Sequence, residues 1–362
     1  MPHSHHSHSG QFCKHAKGLL EDVVLEAIRQ GFEVYGLTEH VPRYRTDDLY
    51  PDEAGLTLDD LAAQFESFLD EAHRLKAKYA SEITLLVGLE TEYITDLDLE
   101  HLDALLARHG TRIEYIVGSV HHVNGIPIDF DLPTFHKALR SCSSEGDTSS
   151  STQEAFLRAY LDAQYALLQR FRPEIIGHFD LCRLYDPALA IPAYSAAWKK
   201  VERNVSYAVE CGALFEVNAA AFRKGWEMAY PGKDVAELIL KHGGRFALSD
   251  DSHGPHAVGL NYPRLHEYLR NLGVQEVWYL QRSDVPNAAG RMARLRELHL
   301  EFDSGFCVYP LSKCITYVRR RYSLPVFGVS HPLPLELTVQ DLPPVPARLK
   351  DPAQCFSSSS MI

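Results

Sequence analysis

The stretch GLLEDVVLEAIRQGFEVYGLTEH, residues 18–40, decides the fold. Leu20, Val23, Val24, Ala27 and Ile28 recur at the three- and four-residue spacing of a helix with one apolar face. Gly31 follows where a helix C-terminus favours glycine, and FEVYGLT then reads as a buried strand. The strand ends on two groups with chemistry, Glu39 and His40.

The same phrase returns along the chain. Residues 58–90 give a long helix and the strand ITLLVGLE. Residues 99–122 end in GSVHH, 154–180 in GHFD, 196–220 in FEVNAA, and 234–253 in LSDDSH. A last unit, 262–280, ends in a strand with no polar terminus. Counting a short first strand before or within the opening histidine tract, the chain predicts seven or eight strands.

Alternating helices and strands imply a parallel sheet. The strand ends carry His40, Glu90, His121, His178, Asn218 and Asp251. An open doubly wound sheet gathers its ligands at one switch point. A closed barrel places working residues after every strand, so the pattern favours an α/β barrel with its site at the C-terminal face of the strands.

Two regions break the rhythm. Residues 141–153, SCSSEGDTSSSTQ, read as a flexible surface insertion. From about residue 311 the helix–strand alternation is lost. The predicted organisation is a barrel over 1–310 and a poorly ordered Pro/Ser-rich extension over 311–362. Within that extension the basic run YVRRRYS, 317–323, reads as a solvated patch.

Composition bounds the function. Of 362 residues, 45% are hydrophobic and 23% charged, as in ordinary globular proteins. No apolar run is long enough to span a bilayer, and the N-terminus lacks a signal-peptide core. Seven cysteines without CxxC pairs suit reduced thiols. A cytoplasmic protein without a membrane partner is expected. The net charge of −12 argues against a nucleic-acid partner. The oligomeric state is not legible.

Histidine, glutamate or aspartate stands at five strand ends, in LTEH, GLETE, GSVHH, GHFD and LSDDSH. Neutral imidazoles with carboxylates suit Zn²⁺, Mn²⁺ or Fe. The set contains no cysteine, which argues against a structural zinc cage. It exceeds what one ion needs, so two or three divalent ions are expected, with Glu90 suited to bridging. Adjacent metals activate water and clamp both oxygens of a phosphoryl displacement.

The ordered motifs HSH, TEH, GLETEY, GSVHH, GHFD and SDDSH resemble the PHP (polymerase and histidinol phosphatase) superfamily. HSHSGQFCKHAKG, GSVHH, GHFDL, VNAAAFRKG and SDDSHGP are similar to its histidinol-phosphatase branch. The resemblance covers roughly residues 1–285 and implies a distorted (β/α)7 TIM-like barrel with a trinuclear site. It implies a first ion on His6, His8, Glu90 and Asp251, and a second on Glu90, His121 and His178. It implies a third on His15, His40 and His253. His122 is left to face the substrate or support the ligands, and Asp250 is left as a neighbour.

The resemblance further implies hydrolysis of L-histidinol phosphate to L-histidinol and phosphate, in histidine biosynthesis. A hydroxide bridging two of the ions would attack phosphorus. Arg183 and Arg223 are candidates for phosphate contact, because a guanidinium fork matches phosphate. Asn218 is a candidate for positioning substrate or water. Glu39 or Asp250 is a candidate partner for the substrate amine. Rival readings are a phosphatase for another small phosphomonoester or phosphotyrosine, a PHP nuclease, and a non-enzymatic metal-binding protein.

The opening tract MPHSHHSHSG invites readings as an expression tag or a low-complexity segment. The downstream SGQFCKHA sets the register and assigns His6 and His8 to metal. His3 and His5 are left as upstream residues, with replacement of His3 expected to be tolerated.

Overall fold

The computed structural model describes residues 2–299. The expected boundary at 310/311, the extension over 311–362 and the basic run lie outside the described residues. The chain runs through β1 (His3–Ser4), β2 (Ser7–His8), α1 (Leu20–Arg29), β3 (Val34–His40), α2 (Leu58–Lys78) and β4 (Thr84–Glu90). It continues through α3 (Asp96–His109), β5 (Tyr115–Gly118), β6 (His122–Val123), β7 (Ile126–Pro127), α4 (Leu132–Arg140) and α5 (Ser149–Phe171). Next come β8 (Ile175–Ile176), α6 (Ser195–Glu210), β9 (Leu214–Asn218), α7 (Ala220–Arg223), α8 (Lys233–Lys241) and β10 (Arg245–Ser249). The last elements are β11 (Ser252–His253), α9 (Tyr262–Asn271), β12 (Glu276–Arg282) and β13 (Ala293–His299).

Seven strands form one parallel sheet in the order β1-β3-β4-β5-β8-β9-β10. The distorted (β/α)7 barrel expected from the sequence is the observed fold. Between the strands and the surrounding helices lies the main core, with Leu20, Val23, Val24 and Ala27 of α1 all buried. Gly31 takes φ +78°, ending α1 as expected. Tyr115 fills the barrel axis. A Cβ on Gly36 would lie 2.0 Å from its hydroxyl, and one on Gly88 would lie 2.6 Å from its ring.

The barrel closes by side chains as well as backbone. Leu248 of β10 donates its N–H to His3 Nε2 at 3.1 Å. The Asp250 N–H donates to Ser4 Oγ, which in turn donates to the Asp250 carboxylate at 2.8 Å. His5 Nε2 accepts the Leu280 N–H at 3.0 Å. A second parallel ladder, β2 with β11, sets His8 opposite His253.

Three expectations change. β12 pairs antiparallel with β13 and is not an eighth barrel strand. Its Tyr279 and Leu280, with Ala293 of β13, pack on Val34, Tyr115, Ile175 and Leu214, at or near the strand starts. The hairpin therefore covers the N-terminal end of the barrel, pinned by the buried Arg291–Glu174 pair at 2.7 Å. The Ser-rich segment is not a loop throughout. Thr148 caps α5 by accepting the Ser151 N–H, and Ser149–Thr152 form the first helical turn. Finally, His3 is a buried seam residue, so a cost is now expected on its replacement.

Replacing His3 by Ala should therefore cost about 1–3 kcal/mol, because a buried N–H loses its acceptor. His3→Gln, which keeps an acceptor, should recover part of that loss. Thermal unfolding of both variants measures the difference.

Candidate metal centre

The strand ends bring the chemistry to one face. β3 ends on His40 and β4 on Glu90. His121, His178 and Asp251 lie just beyond β5, β8 and β10. Asp251 takes the left-handed φ of +44°, a costly turn that persists only where surroundings impose it. Arg223 donates to the carbonyls of Asp250 and Asp251 and holds that turn.

Three donor sets adjoin. In the first, His6 Nε2 lies 3.1 Å from Glu90 Oε1 and 3.7 Å from Asp251 Oδ1. His8 Nε2 lies 3.3 Å from Glu90 Oε2 and 3.7 Å from the same Asp251 oxygen. In the second, His178 Nε2 is 3.0 Å from Glu90 Oε1 and 3.2 Å from His121 Nε2. His121 Nε2 is 3.3 Å from the same Glu90 oxygen. The third gathers His15, His40 and His253. The His15 ring centroid lies 5.5 Å from that of His40 and 5.1 Å from that of His253. Glu90 Oε1 is thus common to the first two sets, and its Oε2 lies 3.0 Å from His40 Nδ1.

The residues fit divalent ions. Two ligands of one ion, each about 2.0–2.2 Å from it, lie about 3–3.5 Å apart. Most of the donor separations above fall in that range. His6 Nε2, His8 Nε2 and both His40 nitrogens are buried and make no hydrogen bond. Buried polar atoms without partners are costly, and a cation shared among them supplies what they lack.

The electrostatics agree. Burial opposes charge on His6, yet Glu90, Asp251 and Glu216 raise its imidazole well above the ordinary value. Burial is likewise overcome at His121, where Glu92 and Glu90 raise it to about 10. Glu90 is held well below the usual carboxylate range, against its burial, by His6, His121 and His40. His15 moves the other way, to about 3, through burial and the nearby His40 and His8. The cluster draws in positive charge around its carboxylates.

An outer layer of carboxylates aims the ligands. Glu216 Oε2 lies 3.1 Å from His6 Nδ1, and its other oxygen accepts the His178 N–H at 2.6 Å. Glu92 Oε1 lies 3.2 Å from His121 Nδ1 and 3.4 Å from buried Arg43 Nη1. Such partners fix imidazole tautomers and orientation.

The sequence singled out neither Glu92 nor Glu216, nor Arg43. Each acid had a signal, since it lies two residues from a chosen one: Glu216 shares a face of β9 with Asn218, and Glu92 follows Glu90 just beyond β4.

Several expected roles change. Glu39 accepts from the Ser9 N–H and hydroxyl and approaches His8 Nδ1 at 3.3 Å, so it braces His8 instead of facing a substrate amine. Asp250 accepts from Ser4, Tyr35 and the Gly259 N–H, and burial pushes it up to about 6. Asn218 donates to Glu216 and Asp251 and accepts the Ala220 N–H, which makes it a brace for Asp251. Arg183 is buried, and its five N–H groups serve Asp180, Asp234 and the Leu189 carbonyl. No donor of Arg183 is left for phosphate. His122 is buried with Nδ1 3.4 Å from Glu92 Oε2.

The fold and site together define a parallel α/β barrel with a multi-set His/carboxylate centre at its C-terminal face. The chain belongs to the PHP domain family, whose pattern matches residues 4–220. It is 44% identical to a Schizosaccharomyces pombe protein named "Probable histidinol-phosphatase", over 81% of this chain and 94% of that protein. It is 32% identical to the histidinol-phosphatase of Saccharomyces cerevisiae, over 81% and 96%. A histidinol phosphate phosphatase structure from Lactococcus lactis, complexed with zinc, L-histidinol and phosphate, shares the fold. Its TM-score is 0.50 at 18% identity, over 75% of this chain and 91% of that one.

Metal affinity should rise with pH. The imidazoles of His6 and His121 are raised, so ions must displace protons from them, and the gain is roughly tenfold per pH unit for each proton displaced. Calorimetric titration of zinc in buffers of different ionisation enthalpy counts those protons. Glu216→Gln should weaken metal affinity or turnover about 10–100-fold, as loss of a ligand-orienting carboxylate does, read by metal content and turnover.

Proposed function

We propose that the protein is a metal-dependent phosphomonoesterase that hydrolyses L-histidinol phosphate to L-histidinol and phosphate. The observation that carries this reading is Glu90, whose Oε1 lies within 3.3 Å of donor atoms from two separate imidazole sets. A carboxylate so placed suits two neighbouring ions. The substrate is supported by the two fungal relatives, which the chain matches over most of its length.

His6, His8, Glu90 and Asp251 would hold one ion, and Glu90, His121 and His178 a second. His15, His40 and His253 would hold a third. Bound ions of this class activate water near neutral pH and offset charge on phosphoryl oxygens. The chain's own residues set the geometry. Glu216 and Glu39 fix the rings of His6 and His8. Asn218 and Arg223 fix Asp251. Arg223 uses two of its N–H groups on carbonyls and is half-buried, which leaves other N–H donors for a phosphate oxygen. Arg43, charged and buried beside Glu92, is a second cation near the site.

No helix among the described residues is long and apolar enough to cross a membrane. We place the reaction in the cytoplasm, where a biosynthetic phosphatase with free cysteines would work.

The protein loaded with zinc or manganese should release phosphate from L-histidinol phosphate far faster than from p-nitrophenyl phosphate, phosphotyrosine or single-stranded DNA. Equal rates on all four would overturn the substrate while sparing the metal centre. Arg223→Ala should lower kcat/KM by roughly 10²–10³-fold, the usual loss for one donor to transition-state charge. An unchanged kcat/KM would remove Arg223 from phosphate contact.

A further inference from the structure

The third donor set contains a group that the family resemblance does not assign. Cys13 is buried, and its Sγ lies 3.2 Å from His15 Nε2 and 3.4 Å from Nδ1. Cys13, His15 and His40 each offer a donor atom within 4.8 Å of the others'. Cys13, His8 and Glu39 form a second such group. Both His40 nitrogens are buried and make no hydrogen bond. The thiol thus sits among imidazoles that converge without enough partners of their own. A sulfur and a nitrogen ligand of one tetrahedral zinc ion, at about 2.3 and 2.05 Å from it, lie about 3.5 Å apart. The observed separations are close to that.

The placement is built by the backbone. The Cys13 N–H donates to the Ser9 carbonyl at 2.8 Å, and the Ala16 N–H returns to the Cys13 carbonyl at 3.1 Å. This turn follows directly from the ligand segment His6–Ser9. It carries Cys13 and His15 to the same side of the site. A cleft lined by Cys13, His15, His40, Arg43 and Glu53 opens beside them.

We propose that Cys13 is a sulfur ligand of the third ion, which would then bind at Cys13, His15 and His40 beside His253. Binding replaces the thiol S–H by a metal–sulfur bond and releases the proton to solvent. A thiolate biases the position toward softer ions, so the third site would favour zinc over manganese. The first two sets hold only nitrogen and oxygen donors and would not share that bias. The proposal rests on the multi-metal reading of the centre.

The test is cobalt(II) substitution of the full chain, with metal content counted alongside the spectrum. The loaded wild-type protein should show a sulfur-to-cobalt charge-transfer absorption in the near ultraviolet. Cys13→Ser should lose it while retaining the weaker visible bands of nitrogen- and oxygen-bound cobalt. Zinc competition should then displace manganese less readily from the variant, by about 10-fold or more. A fully loaded wild-type protein without the band would overturn the role of Cys13. So would an equal band in Cys13→Ser, which would locate the sulfur elsewhere. Fewer than two cobalt ions in the wild type would instead sink the multi-metal reading itself. Absence of the band in the loaded wild type overturns the role even if Cys13→Ser folds poorly, and Cys13→Ala supplies a second variant for assigning a band that is present.

Discussion

The structure depends on one buried carboxylate. Glu90 is 1% exposed and stands among the imidazoles of His6, His8, His40, His121 and His178. An ionised carboxylate so deep costs several kcal/mol unless cations face it. The imidazoles around it are themselves buried, His40 only partly, and His121 and His178 point nitrogens at one another. Such a cluster is stable only when positive charge is shared among its members. Protons can supply part of that charge, which is why His6 and His121 are raised while Glu90 is lowered. Divalent ions supply it with better geometry, because each is reached by several donors at once.

The same demand explains the N-terminal segment, where nearly every residue has a task. His3 and Ser4 close the seam against β10, and His5 receives an N–H from the capping hairpin. His6 and His8 face Glu90. Ser7 bonds the Gly36 carbonyl and Thr38, while Ser9 holds Glu39. Strands of two residues cannot satisfy a barrel edge with backbone alone. A neutral imidazole extends an acceptor farther than a carbonyl does, and burial keeps His5 neutral by lowering it well below its ordinary value, with His3 adding to the effect. The run of histidines therefore accepts hydrogen bonds at the seam and, on the proposed reading, would also donate into the metal centre.

Much of this was legible because the fold and the chemistry share one signal. A helix period followed by an apolar strand locates each strand end, and a barrel puts working residues there. His40, Glu90, His121, His178 and Asp251 could be read in this way. Glu92 and Glu216 carried only the weaker signal of lying two residues from a chosen one, because Glu216 sits in the middle of β9 and Glu92 lies beyond the end of β4. Arg183 failed for the opposite reason. Its position two residues after the GHFDL motif's Leu181 suggested phosphate, but Asp180 and Asp234 engage its whole guanidinium. Long-range pairing also hid the hairpin, since a strand carries no mark of whether its partner will be parallel. Thr148 hid the first turn of α5, because a capping threonine in a serine run reads as loop.

The first and last thirds of the described chain meet at the barrel seam, and the candidate metal centre straddles that seam. His6, His8 and His15 come from the start, and Asp251 and His253 from just after β10, with Glu90, His121 and His178 between them. The link across this gap is slight: the β2–β11 ladder of two residue pairs, the Lys17 N–H on the His253 carbonyl, and side-chain bonds beside them. Any ion held by His6, His8 and Asp251 crosslinks the two ends of the sheet. Binding free energy that exists only when these residues are assembled is folding free energy by linkage. On the proposed reading, the centre would therefore also act as the clasp of the barrel, with Glu39, Glu216 and Asn218 bracing the candidate ligands beside the seam.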